Sequence, residues 1–187
     1  MGSHVADKLT DAGYHVRIFD HKPSQWLAPE HEMIVGSLLN EKETEDAVAG
    51  ASVVYNFAAL ADLNAGLDKP LETISVNILG NAHVLEACRK HSVKRFIYAS
   101  TVYVHSREGG FYRCSKQAAE NYVEEYHRVS GLEYVILRFG SIYGPRADQS
   151  NGLYRIVKNA LETGVILYEG SPDSLREYIH VEDAARA

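Results

Sequence analysis

Tyr112 and Lys116 stand four residues apart, a phenol and an ammonium at helical spacing. A four-residue helical step rises about 6 Å and places both side chains on one face. A neighbouring ammonium stabilises a phenolate, so the pair predicts a tyrosine whose pKa falls from about 10 toward neutrality, fit for proton exchange. Spacing alone does not single it out, because Tyr154 and Lys158 repeat the pattern. Context does. The apolar run Arg95–Ala99 ends in Ser100 and Thr101 shortly before Tyr112. The carboxyl end of a parallel strand borders the ligand crevice of such sheets, so hydroxyl, phenol and ammonium can converge there. Tyr154 follows Gly144-Pro145-Arg146 with no such strand before it, and reads as an ordinary helix-face pair.

A second constellation lies near the start. Gly2 opens a helical pattern, and the next apolar run ends in Asp20, 18 residues later. That is close to the interval of about 20 between a dinucleotide-binding glycine loop and the acid that holds the ribose. The strand and the first two glycines of such a loop do not precede Gly2 in this sequence. Met1-Gly2-Ser3-His4 reads alternatively as an expression scar or a simple chain start.

The elements that must position these residues alternate. His15–Phe19, Met33–Val35, Val53–Phe57, Arg95–Ala99 and Tyr134–Leu137 are short Val-, Ile- and aromatic-rich runs that predict buried strands. Between them, Ser3–Ala12, Glu41–Ala49, Leu71–Cys88 and Phe111–Val129 carry helical spacing. In the last, Phe111, Cys114, Ala118, Tyr122, Tyr126 and Val129 recur at steps of three or four as one apolar stripe along a helix. Strand–helix alternation implies right-handed crossovers and a parallel sheet covered on both faces, an α/β fold.

Composition narrows the function classes. The 187 residues hold 45% hydrophobic and 24% charged residues with a net charge of −6, an ordinary globular balance in one domain. A mild acidic excess without a basic block argues against nucleic acid or an anionic membrane as partner. No apolar run approaches the roughly 20 residues of a membrane span. Cys88 and Cys114 are too far apart for a CxxC pair, and the nine histidines lack ligand spacing, so no metal site is expected and a reducing cytoplasm suits the chain.

In order and spacing the motifs resemble the extended short-chain dehydrogenase/reductases, specifically the NAD-dependent nucleotide-sugar epimerase/dehydratase family. The resemblance runs through Gly2-Ser3-His4, Phe19-Asp20, Phe57-Ala58-Ala59, Val76-Asn77, the Tyr-Ala-Ser-Thr-Val-Tyr run at 98–103 and Tyr112 with Lys116. It continues through Arg138 and Tyr143-Gly144-Pro145-Arg146 to the segment from Arg176 to Asp183. It implies a Rossmann-type doubly wound parallel sheet truncated at both ends, with residues 139–187 beginning the substrate-binding region. It implies NAD as cofactor, with Gly2 at the glycine loop, Asp20 selecting NAD over NADP, and Ser37 and Leu38 at the adenine. Phe57, Ala58 and Ala59 would pass the pyrophosphate, Asn77 would brace the site, and Gly140 would lie by the nicotinamide. Ser100 or Thr101 with Tyr112 and Lys116 would be the catalytic set, Tyr112 and Lys116 also meeting the cofactor. Ser141 and Arg176 would meet a nucleotide-sugar.

Each role has a plain structural alternative: Asp20 a solvated strand end, Asn77 the cap of a kink near Gly80, Arg176 a surface ion-pair residue. Serine at 37 is a weaker adenine-side partner than the acid usual in the family. Only 12 residues separate Ser100 from Tyr112, shorter than the family pattern, and Val102-Tyr103 replaces the Asp-Glu pair that follows the catalytic threonine in dehydratases. Epimerisation through a transient keto sugar is therefore the expected activity. A non-catalytic NAD-binding module and a reductase of a non-nucleotide carbonyl compound are the alternatives. The resemblance also implies a homodimer in the full-length parent, and a chain of residues 1–187 that folds poorly and binds NAD weakly by itself.

Overall fold

The computed structural model describes residues 1–62, 68–166, 171, 173 and 175–187. Every strand pairing in it is parallel. Strand β1 (Arg17–Asp20) pairs with β2 (Glu32–Val35), in register from Arg17 opposite Glu32 to Asp20 opposite Val35. Arg17 Nε meets Glu32 Oε2 at 2.9 Å, so the first cross-strand pair is also an ion pair. A second ladder runs β3 (Val53–Asn56), β4 (Arg95–Thr101), β5 (Glu133–Phe139), with Ser100 opposite Arg138 and Thr101 opposite Phe139. A third joins β6 (Ser141–Tyr143) to β7 (Tyr178–His180). The expected single sheet is thus present as parallel ladders in three pieces, and among the described residues β1 and β3 share none. The sequence reading lacked β6 and β7, three-residue strands too short to show alternation.

Helices α1 (Gly2–Asp11) and α2 (Glu41–Val48) follow the expected spans. Asn40 caps α2, its side chain accepting from the Lys42 and Glu43 amides, which satisfies two of the otherwise unpaired first-turn donors. The expected Leu71–Cys88 helix is interrupted: α3 (Pro70–Ile74) runs into a π-helical turn, Ser75–Gly80, and continues as α4 (Asn81–Lys90). After β4 a 3₁₀ turn, Val102–His105, leads into α5 (Gly110–Ser130), flanked by Gly109 at φ 90° and Gly131 at φ 71°. Beyond it lie α6 (Gly152–Thr163) and α7 (Val181–Arg186).

The core sits between β4 and helices α4 and α5. Phe96 and Tyr98 stack with ring centroids 6.1 Å apart, against Leu85 and Cys88 from α4 and Ala119 and Val123 from α5. The apolar stripe of α5 is not its buried face. Phe111, Cys114, Tyr122 and Val129 are exposed, and only Ala118 and Tyr126 are half-buried. The face turned inward is Ser115, Lys116, Ala119, Glu120 and Val123. Periodicity counted the apolar side chains. It did not see that three polar ones find hydrogen-bond partners inside, which removes most of the desolvation penalty of burying them.

Candidate active site

The site is built where α5 crosses the carboxyl end of β4. On a strand, alternate residues share a face, so Phe96, Tyr98 and Ser100 turn one way and Thr101 the other. Lys116 Nζ donates to the Ala99 carbonyl at 2.7 Å and lies 4.5 Å from the Tyr98 ring centroid. Tyr112, one turn earlier on α5, has its ring centroid 5.8 Å from the same ammonium. The expected pair therefore does share a face of one helix. At 154 and 158 the second pair is an exposed-helix feature: the Tyr154 amide donates to the capping Asn151, and Lys158 pairs with Glu162 at 3.7 Å.

One expectation about this pair fails. Burial pushes Tyr112 up to about 12, with Tyr103 adding to the rise, instead of lowering it toward neutrality. Lys116 has its nearest contact with a carbonyl, and burial pushes its own pKa down to about 8 against the opposing charge of Glu120. A desolvated ammonium some distance from the phenol does not outweigh the phenol's own desolvation.

Ser100 and Thr101 turn out not to be equivalent. The Ser100 hydroxyl donates to Glu120 Oε1. Thr101 Oγ1 accepts from the Tyr103 amide at 3.3 Å and leaves its own proton uncommitted among the described residues. Both are buried. Glu120 was not foreseen. It is buried, and Arg138 on β5 binds it with Nη2 to Oε2 at 2.8 Å and Nε to Oε1 at 3.1 Å. Burial alone would raise the Glu120 carboxyl, but hydrogen bonds from Arg138 and Ser100 outweigh it and hold the group below its ordinary value. An acid four residues beyond Lys116 was the available signal.

Asn77 lies in the π-helical turn, 2% exposed. Its Oδ1 accepts the Leu60 amide at 2.7 Å, and its Nδ2 donates to the Leu60 carbonyl at 3.1 Å and to Ser115 Oγ at 2.9 Å. Ser115 in turn donates to the Tyr112 carbonyl at 2.8 Å. Asn77 thus ties the segment after β3 to the first turn of α5. Its amide oxygen and both amide protons all find partners inside the protein. A second buried link, Asn56 Nδ2 to Asn81 Oδ1 at 2.8 Å, fixes the end of β3 to α4; Asn56 Oδ1 also receives the Ala58 amide. Neither asparagine was foreseen.

The expected cofactor residues line a separate set of ends. Asp20 is exposed at the end of β1; its Oδ1 accepts the Lys22 amide at 3.2 Å and faces His21 Nδ1 at 2.9 Å. Gly2 is exposed at the first position of α1, where no side chain caps the helix and the first turn holds no acid. That leaves the helix N-terminus open to an anion. Ala58 is exposed, Phe57 and Ala59 half-buried, and Phe57 Cδ2 would lie 3.7 Å from a Cβ on Gly2. This donor set, an acid at a strand end, an uncapped helix start and a small-residue segment after β3, suits a dinucleotide. Ser37 is exposed with its amide on Glu43, while Leu38 packs half-buried against the core.

Gly140 and Ser141 meet the segment carrying Arg176. A Cβ on Gly140 would stand 2.7 Å from the Glu177 carbonyl, and the Ser141 amide donates to that same oxygen at 2.7 Å. Only glycine permits this approach. Arg176, exposed, is next in the chain to Glu177, so the β6–β7 ladder brings Ser141 and Arg176 to one end. Among the described residues no cluster of three or more His, Cys, Asp or Glu could hold a metal, and no helix is long and apolar enough to cross a membrane.

Known proteins share this fold. A UDP-glucose 4-epimerase from Thermotoga maritima, solved with UDP-glucose, is 27% identical with a TM-score of 0.91, covering 99% of this chain and 67% of its own. The Thermus thermophilus UDP-glucose 4-epimerase, solved with NAD, is 26% identical with a TM-score of 0.87, covering 99% and 68%. A dTDP-glucose 4,6-dehydratase from Streptomyces niveus is 26% identical over 196 residues, 98% of this chain and 57% of that one. The chain thus spans about two thirds of the two structures and little more than half of the dehydratase. The model of the NAD dependent epimerase/dehydratase family matches residues 1–187 from end to end, and the chain belongs to that family of NAD-dependent enzymes.

Proposed function

We propose that the whole protein interconverts epimers of a nucleotide-sugar with NAD as its resident cofactor. The observation that carries this reading is the placement of Tyr112 and Lys116 on one face of α5 across the carboxyl end of β4, the strand that ends in Ser100 and Thr101. Asp20, Gly2 and the 57–59 segment would hold the dinucleotide, Asp20 by its ribose hydroxyls. Gly140 would lie by the nicotinamide, while Ser141 and Arg176, with residues 139–187, begin the region that meets the substrate. A bound nicotinamide supplies reversible hydride acceptance from a sugar carbon.

The chain's own residues handle the proton. Tyr112 holds its proton at neutral pH, as needed where a carbonyl oxygen must become a hydroxyl. The opposite direction needs that proton removed, and Lys116 is the cation placed to favour it. Thr101 donates to the same sugar oxygen, since Ser100 is committed to Glu120. The relative named a dehydratase shows that the family spans both chemistries. Here Val102 and Tyr103 follow Thr101 and supply no acid, which supports epimerisation over loss of water.

The reading includes a homodimer in the cytoplasm. Leu71, Ile74, Leu79, Phe111, Tyr122 and Val129 are all exposed on α3, the π-helical turn and α5, and apolar patches of this kind mark interfaces. Sedimentation should show a dimer that Tyr122→Lys weakens; an unaffected monomer would refute it. The function itself is tested by incubating the whole protein with UDP-glucose and NAD. Appearance of the 4-epimer supports the reading. NAD binding without turnover of any hexose nucleotide would mean a binding module, and reduction of a simple carbonyl compound alone would mean a reductase.

A further inference from the structure

Lys116 is 2% exposed, and a buried ammonium needs compensation from its surroundings. Its closest contacts are the Ala99 carbonyl and the Tyr98 ring face, with the Tyr112 ring further off, and none of these carries net charge. Negative charge comes from one turn further along α5, where Glu120 is fixed by Arg138 and by the Ser100 hydroxyl. Residues four apart on a helix stand about 5–6 Å apart at their Cβ atoms. The titratable and charged groups around this point are Tyr98 on β4, Tyr112 and Glu120 on α5, Tyr103 and His105 on the 3₁₀ turn, and Arg138 on β5 with Glu124 beyond it. Of these, Glu120 is the one whose charge opposes the burial of Lys116.

We infer that Glu120 is a positioning residue for the catalytic set: it keeps Lys116 an ammonium, takes the Ser100 proton so that Thr101 is the hydroxyl with a proton to offer, and has its pull on Lys116 moderated by Arg138. The inference rests on the reading of Tyr112 and Lys116 as the reacting pair. It explains why a carboxylate is buried between helix and sheet while an exposed guanidinium on β5 holds it from the edge. The arrangement makes opposite demands on the two partners. Replacing Glu120 by glutamine removes the counter-charge, so Lys116 loses its proton at lower pH. Replacing Arg138 by glutamine removes a neighbouring cation and unmasks the carboxylate, so Lys116 keeps its proton to higher pH. A merely structural ion pair would cost stability in both variants and move the lysine in neither.

The test is a proton titration of the whole protein labelled with ¹³Cε-lysine, followed by NMR, with the Lys116 signal identified by its loss in Lys116→Arg. Glu120→Gln should lower the Lys116 midpoint by about one pH unit or more, the scale of an opposite charge at this separation, and Arg138→Gln should raise it. With UDP-glucose as substrate, the alkaline limb of kcat should move in the same two directions. An unchanged midpoint in both variants, or a shift of the same sign in both, overturns the inference. If Glu120→Gln does not fold, Arg138→Gln decides alone: a rise supports the inference and no rise overturns it. The titration needs no turnover, so a failure of the epimerase reading leaves it legible, and a failure here leaves the Tyr112 chemistry standing.

Discussion

Two residues carry opposite lessons about charge. Asp20 sits in the open with one carboxylate oxygen not engaged by the Lys22 amide or His21, where it can accept from ribose hydroxyls and repel a 2′-phosphate. NAD should therefore bind the whole protein better than NADP, and Asp20→Ala should narrow the gap, with Lys22 two residues on limiting the discrimination. A titration in which wild-type protein prefers NADP would remove Asp20 from its assigned role. Lys116 is the reverse case, a charge held inside. Its pKa falls from 10.5 to about 8 in the fold, so between these values the unfolded chain binds more protons than the folded one, and folding stability rises with pH. Tyr112, raised from 10.0, reverses the trend once unfolded tyrosines ionise, which confines the effect to about pH 8–10. Across that window Lys116 should contribute a gain of roughly 2–3 kcal/mol that denaturant unfolding of Lys116→Met no longer shows. Equal slopes in the two proteins would mean that Lys116 is not buried as an ammonium.

At the scale of elements, the join between the 3₁₀ turn and α5 sets where Tyr112 stands. Gly109 has φ 90°, and a Cβ there would lie 3.0 Å from Tyr103 Cγ and 3.1 Å from Arg113 Cβ. Gly109→Ala should cost about 1–3 kcal/mol in chemical denaturation, combining left-handed strain with the collision. A neutral result would mean that the turn is free to relax and does not fix the start of α5. Most strands and helices were legible because apolar runs of four or more residues, such as Arg95–Ala99, alternate with helical spacing. The inward face of α5 was not, since periodicity tracks apolar side chains and this face buries Ser115, Lys116 and Glu120 through specific partners. The π-helical turn was equally hidden. It carries a hydrogen-bond clamp between Asn77 and Leu60, 17 residues away in the chain. Tyr112, Lys116, Ser100 and Thr101 could be named from order and spacing, whereas the choice between the two hydroxyls needed the position of Glu120.

For the whole molecule, the parallel ladders stand in three pieces, and β1 and β3 each have a partner on one side only among the described residues. The functional claim concerns the whole protein and depends on one phenol. Tyr112 shares its helix face with Lys116 at the end of β4, whereas Tyr154 lies on a helix with no buried residue. The decisive measurement is steady-state turnover of UDP-glucose by Tyr112→Phe and Tyr154→Phe, each shown by NAD titration to bind cofactor as the wild type does. A loss of about 10²–10⁴ in kcat for Tyr112→Phe, with Tyr154→Phe near wild type, is the expected result. Turnover that survives Tyr112→Phe, or falls only in Tyr154→Phe, would contradict the assignment of this site.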